Sequence, residues 1–398
     1  MPTRTDPTGE APIPLSAAGV APKHVYKSLD AWRGFAALWV VASHATGFAL
    51  FAHADALSNP VTKLLAQGYL GVELFFVISG YCIAAALVSA MKKPAPVREF
   101  AEARVRRIYP PYLAAFVLLL VMAWAWRAAH PAALFGGEMN GATSAQAGGV
   151  YLGNALLAQS LLRQTSLLPV AWTLGYEVGF YAICGAAIAL LRRRGADAAL
   201  TLLHGLTLLT AAAFAAGFCG KFGYPLDMWA FFGAGALLFD TLRRTDRVRH
   251  GAGLAIVCAL LAAGAIFHPA LAVGLLHHEP RRAVGAVVAT VALMYVLHRW
   301  DDALARNPAV KTLGFFGVFS YSLYLVHYYI IAFAVVVFLP FFAAMPTAIV
   351  VAALFCLAVA AGYLFFRVVE QPFLKAKARR IEATPAAHAI RADAAPSA

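Results

Sequence analysis

The stretch LDAWRGFAALWVVASHATGFAL, residues 29–50, indicates the fold class because it is apolar and long enough to cross a bilayer as one α-helix. It nevertheless carries Asp30 and Arg33 near its start and His44 within it. The 11 residues from Arg33 to His44 make about three helical turns, so both side chains share one helix face, about 16 Å apart. An ionisable side chain inside a membrane helix is costly and usually serves function. We therefore predict a functional role for His44, against the alternative of a neutral histidine bonded to a neighbouring helix.

The composition places the chain among membrane proteins. Its 398 residues are 62% hydrophobic and 13% charged, with a mean hydropathy of +0.72, whereas soluble proteins carry about 25% charged residues. We therefore predict an all-α polytopic membrane protein that sits in the lipid bilayer. The five cysteines form no CxxC pair and lie mostly in apolar runs, so they indicate neither a disulfide framework nor a zinc site.

Ten apolar segments approach or exceed the roughly 20 residues that a membrane-spanning helix needs. The sixth and eighth are the shortest. A further apolar stretch, 150–162, is too short to span and is predicted to be re-entrant or interfacial. The ten predicted spans are 31–51, 69–90, 109–128, 170–191, 198–218, 226–241, 252–268, 283–298, 314–339 and 346–368.

The predicted membrane topology of these segments explains why the chain carries a net charge of +13. If the N-terminus is cytoplasmic, lysine and arginine concentrate in the loops on the cytoplasmic side, as the positive-inside rule requires. This distribution predicts that both termini are cytoplasmic, and it means that the basic residues indicate no nucleic-acid partner. Only six of the 32 lysines and arginines fall on the outer side: Lys63, Arg127, Arg163, Lys221, Arg281 and Arg282.

Differences in polarity along the sequence divide the chain into three predicted parts. Residues 1–28 are polar and rich in proline and alanine, and we expect a disordered cytoplasmic segment without a cleaved signal peptide. Residues 29–374 form the membrane domain, whose first helix then serves as the insertion signal. Residues 375–398 are basic and then alanine-rich, which predicts a second disordered cytoplasmic tail.

Further ionisable residues lie inside or at the edge of the predicted spans. The second segment, which contains GVELFFVISGYCI, carries Glu73 near its outer end and Ser79 near its middle. Glu177 lies about 10 Å deep in the fourth segment, and His327 lies in the ninth. A membrane carboxylate needs a partner from another helix or stays protonated, so we predict that Glu177, His327 and His44 form a buried polar cluster. For His327, a purely structural hydrogen-bonded histidine is an equal alternative.

Basic residues at the predicted cytoplasmic surface form a candidate phosphate site. Arg104 and Arg107 are spaced i, i+3 and share a helix face, and arginine pairs bind phosphates through bidentate hydrogen bonds. The alternative is contact with lipid headgroups. Pro110 and Pro111 are expected to interrupt the following helix. No metal site is predicted, because the adjacent ligands of the run HHE, residues 277–279, are a poor geometric set.

In combination these motifs resemble the acyltransferase-3 family of integral-membrane O-acyltransferases, which includes bacterial O-antigen and exopolysaccharide acetylases. The resemblance runs from about residue 27 to residue 374. One departure is Glu73, where the family pattern has aspartate. The matching stretches are WRGFAALWVVASH (32–44), FFVISG (75–80), RVRRIYPPY (104–112), WTLGYEVGFY (172–181), SYSLYLVH (320–327) and EQPF (370–373).

The resemblance implies an acyl-CoA donor, most commonly acetyl-CoA, and a carbohydrate or glycolipid hydroxyl as acceptor, at the inner (plasma) membrane. Arg33, Arg104 and Arg107 would hold the CoA phosphates at the cytoplasmic surface. His44 would act deeper, either as general base or as a transiently acylated nucleophile, oriented by Glu177 or another carboxylate. Further candidates for the site are Asp30, Glu73, Ser79 and His327.

A transporter or flippase for a lipid-linked glycan is the alternative function. It would equally explain ten helices with buried ionisable residues. It does not explain why the matched motifs occur together in one chain. A structural scaffold would need none of the three residues Arg33, His44 and Glu177.

Overall fold

A computed structural model describes residues 26–129, 144–218, 222–244, 247–269 and 280–374. Within these ranges the chain is helical and contains no β-strand, which confirms the predicted all-α class. The predicted 375–398 tail, most of the predicted 1–28 segment and the run HHE at 277–279 lie outside the described residues.

Fourteen α-helices follow one another in the described part of the chain. Short 3₁₀ turns precede α3 and α6 and follow α10, and a π-helical turn, Phe366–Glu370, follows α14. The helices are α1 Leu29–Ala49, α2 Pro60–Ala66, α3 Gly71–Ala90, α4 Pro96–Ala129, α5 Ser144–Ala155, α6 Trp172–Leu191, α7 Ala196–Ala215, α8 Trp229–Arg243, α9 Arg247–Phe267, α10 Pro280–Leu297, α11 Asp301–Leu304, α12 Pro308–Val318, α13 Ser320–Ala343 and α14 Thr347–Phe365.

Helical structure occupies each of the ten segments predicted to span the membrane, and the ninth segment contains parts of both α12 and α13. Among the described residues, seven helical stretches are long and apolar enough to cross a bilayer. The remaining three predicted spans correspond to α1, which begins with charged residues, to α8, which has 15 residues, and to α9, whose apolar part is short. The count of ten and the cytoplasmic placement of both termini stay predictions.

Two local predictions about these helices were wrong. The predicted ninth span is two helices, because Phe319 between α12 and α13 leaves the helical conformation, with φ −110° and ψ 16°. Conversely, Pro110 and Pro111 lie inside the continuous helix α4. The φ angle that a proline ring fixes suits a helix, and neighbouring helices can compensate for the lost N–H bonds in an apolar setting.

Small residues bring the helix backbones close together. A Cβ atom on Gly80 of α3 would overlap the carbonyl oxygen of Phe232 in α8, and one on Gly34 of α1 would overlap that of Leu313 in α12. This close approach is typical of helix pairs in membranes, where small residues maximise dispersion contacts. It fixes α1 and α3, which carry most of the candidate residues, against the rest of the bundle.

The start of α1 is also held by polar contacts. The buried carboxylate of Asp301 accepts hydrogen bonds from the backbone N–H groups of Lys27 and Ser28, at 2.5 and 3.0 Å, and from the Ser28 hydroxyl at 2.7 Å. Tyr26 is buried and donates to the carbonyl of Met294 at 2.9 Å. The last residues before α1 therefore pack against the helical body, which fixes the position of the first turn of α1.

Candidate active site

One cavity lies between α1, α3, α4, α6 and α13 and has a volume of about 70 Å³. Four of the nine sequence-predicted residues line it. The other residues of its wall are aliphatic, aromatic or hydroxyl side chains. The lining residues are Arg33, Val72, Phe75, Phe76, Ser79, Arg107, Ile108, Thr173, Leu174, Glu177, Phe180, Ser320, Tyr321 and Tyr324.

The polar end of the cavity is formed by Arg33, Ser79, Arg107 and Glu177. Ser79 in α3 donates a long hydrogen bond of 3.5 Å to Oε1 of Glu177 in α6, and Glu177 interacts electrostatically with Arg33. Arg33 also pairs with Asp30, one turn earlier, with 3.7 Å between guanidinium and carboxylate. Two arginines thus line this end, and although carboxylates lie beside Arg33, the two guanidinium groups supply the donors that an anionic group would bind.

Tyr181 connects this end to Arg104, which does not line the cavity. The Tyr181 hydroxyl donates to Glu177 Oε1 at 2.6 Å and also bonds to the Arg104 side chain. The Arg104 guanidinium lies 5.8 Å from the centre of the Tyr181 ring. Arg104 therefore supports Glu177 through Tyr181, whereas Arg107, one turn later, faces the cavity directly.

The aromatic end of the cavity is formed by Phe75, Thr173 and Tyr324. The rings of Phe75 and Tyr324 meet edge to face, with 5.8 Å between their centres. The Tyr324 hydroxyl bonds to Thr173 Oγ1 at 2.8 Å and to the carbonyl of Val170 at 3.0 Å. On α3, Phe75 and Ser79 are four residues apart, so the two ends of the cavity are about 6 Å apart.

His44 and His327 form a pair beyond the aromatic end. Nδ1 of His44 lies 3.2 Å from Nε2 of His327 and 3.1 Å from the carbonyl of Val40. His327 is fully buried, whereas His44 is partly exposed. The ring of His327 lies 5.9 Å from that of Tyr324, one turn earlier on α13. This histidine pair is therefore one layer away from the cavity wall.

The partners of the histidine pair fix the tautomer of each ring. His327 Nδ1 lies 3.0 and 2.9 Å from the carbonyls of Leu323 and Tyr324, which only accept hydrogen bonds. In its neutral form His327 thus carries its proton on Nδ1 and accepts at Nε2. His44 must then carry its proton on Nδ1, facing His327, which leaves the lone pair of its own Nε2 available as a base or nucleophile.

The predicted cluster of His44, His327 and Glu177 is only partly present. The structure brings the two histidines together but directs Glu177 to Ser79 and Tyr181 instead. The group that orients His44 is therefore another imidazole and a backbone carbonyl, not the predicted carboxylate. Neither of these partners carries a charge, whereas a charged carboxylate within a membrane helix bundle would be costly.

Glu73 forms no hydrogen bond with these groups, although it interacts electrostatically with Tyr324. The Glu73 side chain is completely buried, and neither carboxylate oxygen has a hydrogen-bond partner.

Within the described residues, no group of three or more histidines, cysteines, aspartates or glutamates could hold a metal ion.

The comparison with protein families bears directly on this arrangement. A family model described as an acyltransferase domain, that of the acyltransferase-3 family, matches residues 26–367. The chain belongs to the acyltransferase-3 family. Neither the curated proteins nor the solved structures include a match to the chain. The match extends over α1 to α14 and so includes the cavity and the histidine pair of this acyltransferase-3 protein.

Tyr181 of this acyltransferase-3 site was not predicted from the sequence, whereas Glu370 of the EQPF stretch was expected to pair with an arginine at the membrane interface. Tyr181 follows Glu177 by four residues, and this spacing alone predicts that the two side chains share one helix face. Glu370 is buried, accepts a 2.5 Å hydrogen bond from Ser322 and interacts electrostatically with Arg33. No sequence spacing could have connected Glu370 to α1, because that proximity depends on the packing of α14 and α13 against α1.

Proposed function

We propose that this protein is a membrane O-acyltransferase that moves an acetyl group from acetyl-CoA to a hydroxyl of a cell-surface or lipid-linked carbohydrate at the inner (plasma) membrane. Membership of the acyltransferase-3 family supports acyl transfer in general. The acetyl-CoA donor and the hydroxyl acceptor are supported by the order of groups in the site: an arginine-lined polar end, an aromatic end, and then a histidine whose Nε2 keeps its lone pair.

The donor fits this order. CoA is anionic at one end and carries its thioester at the end of a long, slender arm. Arg33 and Arg107 at the polar end of the cavity would hold phosphate groups through charge-assisted hydrogen bonds. The arm would then extend past Phe75 and Tyr324 and bring the thioester carbon toward His44.

In direct transfer His44 acts as general base. Nε2 of His44 takes the proton of the acceptor hydroxyl while the hydroxyl oxygen attacks the thioester carbon. The carbon–sulfur bond breaks, the ester carbon–oxygen bond forms, and the proton passes from His44 to the CoA thiolate. His327 stabilises the imidazolium that forms in between, because its Nε2 accepts from His44 Nδ1 at 3.2 Å.

In the covalent alternative Nε2 of His44 attacks the thioester carbon itself and forms an acyl-imidazole. The CoA thiolate leaves, and the acceptor hydroxyl later displaces the imidazole and gives up the proton that balances the thiolate. The two routes differ in one observable. Incubation with acetyl-CoA but without acceptor adds an acetyl mass to the His44 peptide only in the covalent route.

The function is tested by comparing surface glycans from strains with and without the gene. Loss of an acetyl mass with the polymer intact supports acyl transfer. Loss of the polymer itself would contradict the proposal and favour the alternative, a transporter or flippase for a lipid-linked glycan.

A further inference from the structure

The two ends of the cavity and the histidine pair lie in three successive layers. Along α13, Tyr321 lines the cavity near its polar end, Tyr324 forms its aromatic end, and His327 follows one turn later. Along α3, Ser79 belongs to the polar end and Phe75, one turn away, to the aromatic end. The aromatic end therefore separates the arginines from His44, and a donor held by Arg33 must pass it to reach that histidine.

The two rings of this layer differ in how firmly they are held. Tyr324 is buried, and two hydrogen bonds, to Thr173 and to Val170, fix its hydroxyl. Phe75 has no polar atom with which to be anchored and is partly exposed toward the cavity. A displacement that opens this layer is therefore easier for Phe75, because it breaks no hydrogen bond.

We propose that Phe75, working against the fixed ring of Tyr324, selects the acyl group by its size. This inference rests on the proposed function, because it takes the donor to be an acyl-CoA held at the polar end of the cavity. A planar two-carbon acetyl group needs only a small displacement of Phe75 to pass between the two rings. A branched four-carbon group requires Phe75 to move further from Tyr324, away from the edge-to-face contact at 5.8 Å.

The test compares acetyl-CoA with isobutyryl-CoA as donors for the full-length protein in lipid nanodiscs. Phe75→Ala is expected to raise the isobutyryl-to-acetyl ratio of transfer rates by about tenfold or more, since one or two methylenes in an apolar site are worth roughly that factor. Phe76→Ala is the matched control. Phe76 lines the same cavity but packs against Trp172 and Phe180, with ring centres 6.3 and 6.0 Å away, so its loss should leave the ratio unchanged.

Two further variants keep the test decisive if Phe75→Ala does not fold. Phe75→Leu should shift the ratio in the same direction by a smaller factor. Thr173→Val removes one of the two hydrogen bonds that fix Tyr324, and it should likewise raise the ratio.

An unchanged ratio in folded, active Phe75 variants, or an equal rise in Phe76→Ala, would overturn the size-selection inference while leaving acyl transfer intact. A wild-type protein that transfers neither acyl group would overturn the proposed function, and this inference with it.

Discussion

Nδ1 of His44 and Nε2 of His327 lie 3.2 Å apart, so one imidazole holds the other through a hydrogen bond between α1 and α13. Since two backbone carbonyls fix the proton of His327 on Nδ1, the direction of this bond is set, and Nε2 of His44 is left with its lone pair. In hydrolases that use a histidine base, a carboxylate usually has this orienting role. Here a neutral ring has it, at the interface between α1 and α13.

We predict that His327→Leu lowers the rate of acetyl transfer by about 100-fold. In this variant no acceptor holds the proton of His44 on Nδ1, and none stabilises the protonated form of His44. His327→Gln should retain part of the activity, since its amide oxygen can accept from His44 Nδ1. Affinity for acetyl-CoA should not change in either variant, because His327 does not line the cavity. A loss that appears only in affinity, measured by calorimetric titration, would refute the positioning role.

The arginines at the polar end should determine donor affinity. Arg33→Ala and Arg107→Ala are each expected to weaken acetyl-CoA binding about 10- to 100-fold, the effect of losing one or two charge-assisted hydrogen bonds of about 1.5–3 kcal/mol. Arg106→Ala is the control, because Arg106 is exposed and pairs with Glu102 on the helix surface. Equal affinity in all three variants would show that the phosphates bind elsewhere.

Tyr181→Phe should mimic a milder form of Glu177→Gln. The hydroxyl of Tyr181 joins Glu177 to Arg104, so its removal frees the carboxylate to move but keeps its charge. We expect Glu177→Gln to lower the transfer rate at saturating acetyl-CoA more than Tyr181→Phe does. The rates of the two single variants and the double variant decide this. Fully additive losses would mean that Tyr181 does not act through Glu177.

Asp301 should contribute stability without touching the cavity. Asp301→Ala leaves two backbone N–H groups and one hydroxyl before α1 without their acceptor, and we expect a loss of about 2–4 kcal/mol. The neighbouring Asp302→Ala is the control. Asp302 forms an exposed ion pair with Lys27, with side chains 68% and 65% exposed, which is worth at most about 1 kcal/mol. Thermal unfolding in detergent should rank the variants in this order, and similar melting temperatures for both would contradict the anchoring role.

The sequence predicts the helical class and most of the polar residues, because long apolar runs and isolated charges within them are local signals. Arg33, Ser79, Arg107 and Glu177 line one cavity as neighbours that no spacing within a single segment could reveal. The pairing of His44 with His327, rather than with Glu177, depends on the rotation of α13 against α1. The break at Phe319 and the uninterrupted passage of α4 through Pro110 are likewise decided by packing between helices.

The proposed transfer depends on His44. A second histidine, His53, provides a matched control. His53 follows the end of α1 and, like His44, bonds to α13, through the Phe342 carbonyl at 3.1 Å, but it is not part of the histidine pair. The decisive measurement is the rate of acetyl transfer from acetyl-CoA by purified His44→Ala and His53→Ala proteins with equal affinity for the donor. We predict a loss of at least about 100-fold in His44→Ala and a rate near that of the wild type in His53→Ala. Transfer at the wild-type rate by His44→Ala would contradict the account.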